Sequence, residues 1–117
     1  MNLRSLQEKV KQLNEQTRPH YKLYTQTEKE ILTKTVKLNE EVGELCNDIL
    51  SVLKLQRKAK LDKFNKSNIY QEFADVIITT MQLAAAAGVD VDRAVSDKLI
   101  KIEHRYMKEE NATRVNE

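Results

Sequence analysis

Residues that interrupt helices are almost absent from this chain. Pro19, Gly43 and Gly88 are the only prolines and glycines among its 117 residues. Strong helix formers such as Lys, Leu and Glu dominate the composition, which favours an all-α fold. A chain of this length usually makes one domain. We therefore predict a single all-α domain over residues 1–117, with a polar tail at 110–117 that frays.

The spacing of apolar residues divides the chain into four predicted helices. They span about residues 2–16, 26–57, 69–87 and 91–109, with a loop at about 58–68. Pro19 ends the first helix, and a capping box from Thr25 to Glu28 begins the second. The long second helix carries a heptad-like apolar row, which is suited to packing against another helix. Gly88 separates the last two helices.

The third predicted helix is apolar on almost every side. Its apolar residues are Phe73, Ala74, Val76, Ile77, Ile78, Met81 and the run from Leu83 to Ala87. A helix that is apolar all round is normally buried, and three other helices in so short a chain would leave part of it uncovered. We therefore expect a four-helix bundle-like subunit with a long second helix, assembled as a homodimer or homotetramer.

Two acidic pairs, each with a spacing of three residues, lie on the second and third predicted helices. Glu41 and Glu44 form the first pair, and Glu72 and Asp75 form the second. Residues at this spacing share one helix face, so facing helices would bring four carboxylates together. Crowded carboxylates withdrawn from water resist ionisation unless a cation compensates them. All-oxygen ligands favour Mg²⁺, with Mn²⁺ as a possible substitute.

Three neighbouring residues bear on this predicted metal site. Glu40 and Asp48 are close enough in sequence to act as additional ligands or hydrogen-bond acceptors. Gly43 costs up to about 1 kcal/mol in a helix interior, so it serves either tight helix packing or room for a ligand. An ordinary exposed acidic pair is the alternative reading of Glu41 and Glu44.

Around both pairs, the chain resembles the all-α nucleoside triphosphate pyrophosphohydrolases of the MazG-like superfamily. The family pattern is E-x-x-E, a variable gap, and then E-x-x-D. Here it reads Glu41-Val42-Gly43-Glu44-Leu45 and later Glu72-Phe73-Ala74-Asp75-Val76. The segment from Ala87 to Val91 is similar to the family's turn into its last helix, and the resemblance covers about residues 30–106.

The resemblance implies a reaction and an assembly. The reaction is Mg²⁺-dependent hydrolysis of a nucleoside triphosphate to the monophosphate and pyrophosphate. Glu41, Glu44, Glu72 and Asp75 are implied as metal ligands, and either Glu41 or Glu44 as the acceptor of a proton from the attacking water. A dimer or tetramer is implied as well, in agreement with the apolar third helix.

Substrate contacts are predicted on the fourth helix and on tyrosines. Lys98, Lys101 and Arg105 share one face and are candidates for phosphate binding. The family's Lys and Arg map best onto Lys101 and Arg105, although many members carry an Asn nearby where this chain has Leu99. A base could stack on a tyrosine, but each is also a candidate for the core or its rim; the tyrosines considered are Tyr21, Tyr24 and Tyr70.

Charge and cysteine content limit the other function classes. The net charge of +2 argues against stable nucleic-acid binding, despite a basic stretch at residues 54–66. The chain has a single cysteine, Cys46, and no apolar run long enough for a membrane span or signal peptide. We therefore expect a cytoplasmic protein without membrane partners. The alternative function is a non-catalytic helical interaction module that oligomerises through the heptad-like row.

Overall fold

A computed structural model describes residues 2–19, 22–62 and 68–115. Within these ranges the chain forms helices and no strands. The helices are α1 (Leu3–Thr17), α2 (Gln26–Val52), α3 (Lys58–Asp62), α4 (Asn68–Ala87) and α5 (Val91–Val115). The all-α prediction is therefore confirmed. Tyr21 and the later part of the basic stretch, residues 63–66, lie outside the described residues.

Capping boxes fix the starts of the first two helices. At α1, the Asn2 side chain accepts a hydrogen bond from the Ser5 backbone N–H at 2.9 Å. At α2, the Glu28 N–H donates to Thr25 Oγ1 at 3.0 Å, and the Thr25 N–H donates to Glu28 Oε1 at 3.2 Å. These reciprocal bonds satisfy N–H groups that have no partner inside the helix, and they place the start of α2 as predicted.

The second helix ends five residues earlier than predicted. Lys54 adopts a left-handed conformation with φ of +57°, and the Leu55 N–H donates back to the Leu50 carbonyl at 2.8 Å. This backbone pattern closes a helix end. The returning chain is held to α2, since Gln56 Nε2 donates to Asn47 Oδ1 at 2.7 Å. Apolar spacing continues past this point and gave no sign of the turn.

Glycine ends α4 as predicted, but α5 is longer than predicted. Gly88 has φ of +71°, and the Val89 N–H donates to the Ala84 carbonyl at 2.8 Å. Asp90 then caps α5 by accepting from the Arg93 N–H at 3.1 Å. The helix continues to Val115, beyond the predicted end at about residue 109. No Gly or Pro follows Gly88 to stop the helix earlier.

The helices α2 and α4 form the one extensive helix–helix contact among the described elements. Lys34 Nζ donates to Gln82 Oε1 at 3.3 Å, whereas later residues of α2 lie against earlier residues of α4, so the pair is antiparallel. The radius of gyration is 21.9 Å, against about 13 Å for a compact chain of this length. Within the described residues, one chain is therefore an open helix pair with further helices extending from it, and these helices do not form a closed four-helix bundle.

The apolar surface of α4 is not covered within one chain. Phe73, Ile77, Ile78 and Met81 are each about half exposed, and no apolar side chain in the described ranges is buried. The expectation that this helix is buried is therefore not met by a single chain. No single described helix is long and apolar enough to cross a membrane. The helices α4 and α5 reach the length and apolar content of a membrane span only when they are counted together, and the pair is bent by 106°.

Candidate metal centre

Three of the four predicted metal ligands come together between α2 and α4. Glu41 projects from α2, and Glu72 and Asp75 project from α4. One carboxylate oxygen of each lies within 4.8 Å of the others. The three-residue spacing places both acids of α4 on the face that contacts α2. The antiparallel packing then brings Glu41 to the same level.

Glu41 is the one buried charged residue in the part of the chain that the structure describes, with 7% of its surface exposed. Its Oε1 accepts from Lys37 Nζ at 3.1 Å, but its Oε2 has no hydrogen-bond partner among the described residues. Oε2 of Glu72 is buried and unpartnered in the same way. Buried carboxylate oxygens without partners are costly, so this donor set fits a divalent cation.

The electrostatics of Glu72 support the same conclusion. Burial raises the pKa of the Glu72 carboxyl above its ordinary value, and the negative charges of Glu44, Asp48, Asp75 and Glu41 raise it further. A raised pKa means that the folded chain resists ionising this group. A divalent cation held between the carboxylates would reverse that effect, because it favours the charged form of every ligand.

The remaining acidic residues of α2 take different places. Glu44, predicted as the fourth ligand, is exposed and is not one of the three grouped carboxylates, although its charge acts on Glu72. Asp48 Oδ2 is buried and lacks a partner among the described residues, which suits the suggested role as an additional ligand. Glu40 accepts from Lys37 Nζ at 3.3 Å, and the same ammonium group also donates to Glu41.

Lys37 is a residue of this site that sequence reasoning missed. Its hydrogen bonds to Glu41 and then to Glu40 raise the pKa of its ammonium group above the ordinary value. The signal for it was present in the sequence, since Lys37 precedes Glu41 by four residues and therefore shares its helix face. Gly43 has open space around it, because a Cβ atom there would meet nothing within 4 Å. Tight packing within one chain does not explain this glycine.

The predicted substrate contacts are not brought to the carboxylates within one chain. Lys98, Lys101 and Arg105 are exposed on α5, which makes no extensive contact with α2 or α4 in the described structure. Tyr24 and Tyr70 are also exposed. These residues remain predictions for the binding of phosphate and base.

Comparison with known families identifies the fold that carries this site. The family model of the MazG nucleotide pyrophosphohydrolase domain matches residues 26–108. The match includes α2, α4, most of α5 and both acidic pairs, and it leaves α1 outside. No curated protein and no solved structure matches the chain significantly. Since the matched residues make up well over half of the sequence, the chain belongs to the MazG nucleotide pyrophosphohydrolase domain family.

Proposed function

We propose that this protein hydrolyses a nucleoside triphosphate to the monophosphate and pyrophosphate with the help of Mg²⁺. The observation that carries the proposal is the buried Glu41, which has an oxygen without a partner among the described residues and groups with carboxylates of Glu72 and Asp75. Family membership supports nucleotide pyrophosphohydrolase chemistry. The all-oxygen donor set supports a hard cation such as Mg²⁺, with Mn²⁺ as its substitute.

In this proposal, the acidic residues have different roles in the reaction. Glu41, Glu72 and Asp75 would hold the cation, which when bound supplies positive charge against the triphosphate and acidifies the attacking water. Glu44, which is exposed on α2 and whose charge acts on Glu72, would accept the proton of that water. The water oxygen bonds to phosphorus as the bond between the α- and β-phosphates breaks, so positioning and electrostatics do most of the catalysis.

The assembly is part of the proposal. No apolar side chain is buried within the described part of one chain, so a homodimer or homotetramer is needed to cover α2 and α4. Such an assembly also gives Lys98, Lys101 and Arg105 a route to the substrate phosphates, from the α5 helix of a second subunit.

A panel of ribo- and deoxyribonucleoside triphosphates tests the activity. We expect Mg²⁺-dependent release of equal amounts of monophosphate and pyrophosphate from at least one member, measured by ion-exchange chromatography. Glu41→Gln and Glu72→Gln should each lower kcat/KM by at least about a hundredfold, since each removes a ligand charge. Glu30→Gln, an exposed position on the same helix, is the matched control and should retain wild-type activity.

Two outcomes would overturn the proposal. Activity that survives both substitutions would show that these carboxylates do not hold the catalytic cation. Absence of pyrophosphate from every nucleotide, together with no stabilisation of the chain by Mg²⁺, would favour the non-catalytic helical interaction module instead.

A further inference from the structure

Lys37 joins the exposed surface of α2 to the buried carboxylate cluster. Its Nζ lies 3.1 Å from Glu41 Oε1 and 3.3 Å from Glu40 Oε1. The Lys37 side chain is 47% exposed, whereas the Glu41 side chain is 9% exposed. About half of the Lys37 side chain is therefore open to solvent, while the shorter of its two ion-pair contacts is made to a group that solvent hardly reaches.

This contact assigns different roles to the two oxygens of Glu41. Oε1 is held by Lys37, and Oε2 is buried without a partner in the described structure. Rotation of the carboxylate toward two-oxygen coordination would weaken the hydrogen bond to Lys37. Hydrogen bonds between charged groups, such as the one from Lys37 to Glu41 Oε1, are among the stronger ones in proteins. While this bond is kept, Glu41 has one oxygen, Oε2, left to offer to a cation.

The number of oxygens offered matters for which cation binds. Mg²⁺ requires a near-ideal octahedron of six ligands at short distances, and one-oxygen carboxylates satisfy it well. Ca²⁺ accepts six to eight ligands and often takes both oxygens of a carboxylate. A carboxylate held in the one-oxygen form therefore favours the smaller ion.

We propose that Lys37 is a positioning residue that holds Glu41 as a one-oxygen ligand and thereby favours Mg²⁺ over Ca²⁺ at the carboxylate cluster. The inference rests on the metal site of the proposed function. It adds that Lys37, which is not itself a metal ligand, influences which metal ion the site prefers. It does not require Lys37 to touch the cation or the nucleotide.

The test measures the affinity of the full chain for Mg²⁺ and for Ca²⁺, each without nucleotide, by calorimetric titration or by metal-dependent thermal melting. Lys37→Met keeps the aliphatic stem and removes the charge. We expect the ratio of Mg²⁺ to Ca²⁺ affinity to fall about tenfold, the lower end of the usual effect of losing a residue that orients a ligand. Lys37→Arg should keep most of the wild-type ratio.

The ratio is the deciding quantity because loss of a positive charge changes the attraction of both divalent ions equally. Lys34→Met is the matched control, since Lys34 lies one turn earlier on α2 and donates to Gln82 rather than to a carboxylate; its ratio should equal that of the wild type. If the ratio is unchanged in Lys37→Met, or falls equally in Lys34→Met, the proposed role of Lys37 is overturned but the metal site is not. Failure of the wild-type chain to bind either ion overturns the metal site as well.

Discussion

Glu72 is the residue whose surroundings favour a bound cation most clearly. Burial raises the pKa of its carboxyl and the charges of four other acidic groups raise it further, and one of its oxygens is buried without a partner among the described residues. The sequence predicted this crowding from the apolar residues around Glu72 and from the spacing of both acidic pairs. It did not predict that Glu44 would stay exposed. Helix periodicity shows which face a residue lies on, but not how deeply the packing of a neighbouring helix buries its side chain.

The raised pKa of Glu72 gives a pH dependence that can be measured without metal. The folded pKa lies above the unfolded value of about 4.5, so the folded chain binds this proton more tightly than the unfolded chain. The stability that this proton provides is complete below pH 4.5 and is lost as the pH rises through the folded pKa. Glu72→Gln removes that loss.

In EDTA, we therefore expect Glu72→Gln to melt at a higher temperature than the wild type at pH 7 to 8. The difference should disappear near pH 4, where the wild-type carboxyl is protonated in both states. Added Mg²⁺ should reverse the order at pH 7.5, since only the wild type keeps the ligand. A variant that is less stable than the wild type in EDTA at every pH would contradict this explanation.

Among the elements, α2 was predicted well at its start and poorly at its end. The capping box at Thr25 and Glu28 is a local signal, and it can be read directly from the sequence. The end depends on Lys54 adopting a left-handed conformation, which lysine rarely does, and on Asn47 binding the returning Gln56. Neither feature has a sequence signature, so the apolar spacing extended the helix too far.

The strained conformation of Lys54 predicts a stabilising substitution. Glycine adopts positive φ without steric cost, so Lys54→Gly should raise the free energy of unfolding by about 0.5–1 kcal/mol, after the greater entropy of the unfolded glycine is subtracted. Lys29→Gly, at an exposed position in the first turn of α2, should instead lower it, because glycine is a poor helix former and Lys29 has no strain to relieve. Urea denaturation of both variants provides the comparison, and destabilisation by Lys54→Gly would argue against the left-handed helix end.

At the scale of the whole molecule, the sequence predicted that α4 has apolar surface that must be covered. It did not predict which helices, of the same chain or of a second copy, cover that surface. The largely apolar character of α4 is evident from Phe73 to Ala87, where the polar residues are Asp75, Thr79, Thr80 and Gln82. The structure leaves Ile77 54% exposed, and the radius of gyration is well above that of a compact chain. Composition and periodicity are properties of one chain, so they cannot state which copy contributes each helix.

We expect the purified protein to sediment as a dimer or tetramer, with a melting temperature that rises with protein concentration. Ile77→Lys should shift the distribution toward monomer and lower the melting temperature, because it places a charge on the apolar face of α4. Gln71→Lys introduces the same residue at an exposed polar position of the same helix and should leave the assembly intact. A wild-type monomer with concentration-independent melting would contradict the proposed assembly.

The antiparallel pairing of α2 and α4 also explains a freedom in the family pattern. Glu41 meets Glu72 and Asp75 because the two helices pack side by side, and no described residue of the segment that joins them belongs to this group of carboxylates. We therefore expect that residues can be gained or lost in the joining segment without shifting the carboxylates relative to one another. Changes in this segment would then be free to serve other uses, such as new surfaces for recognition, while the carboxylate cluster keeps its geometry.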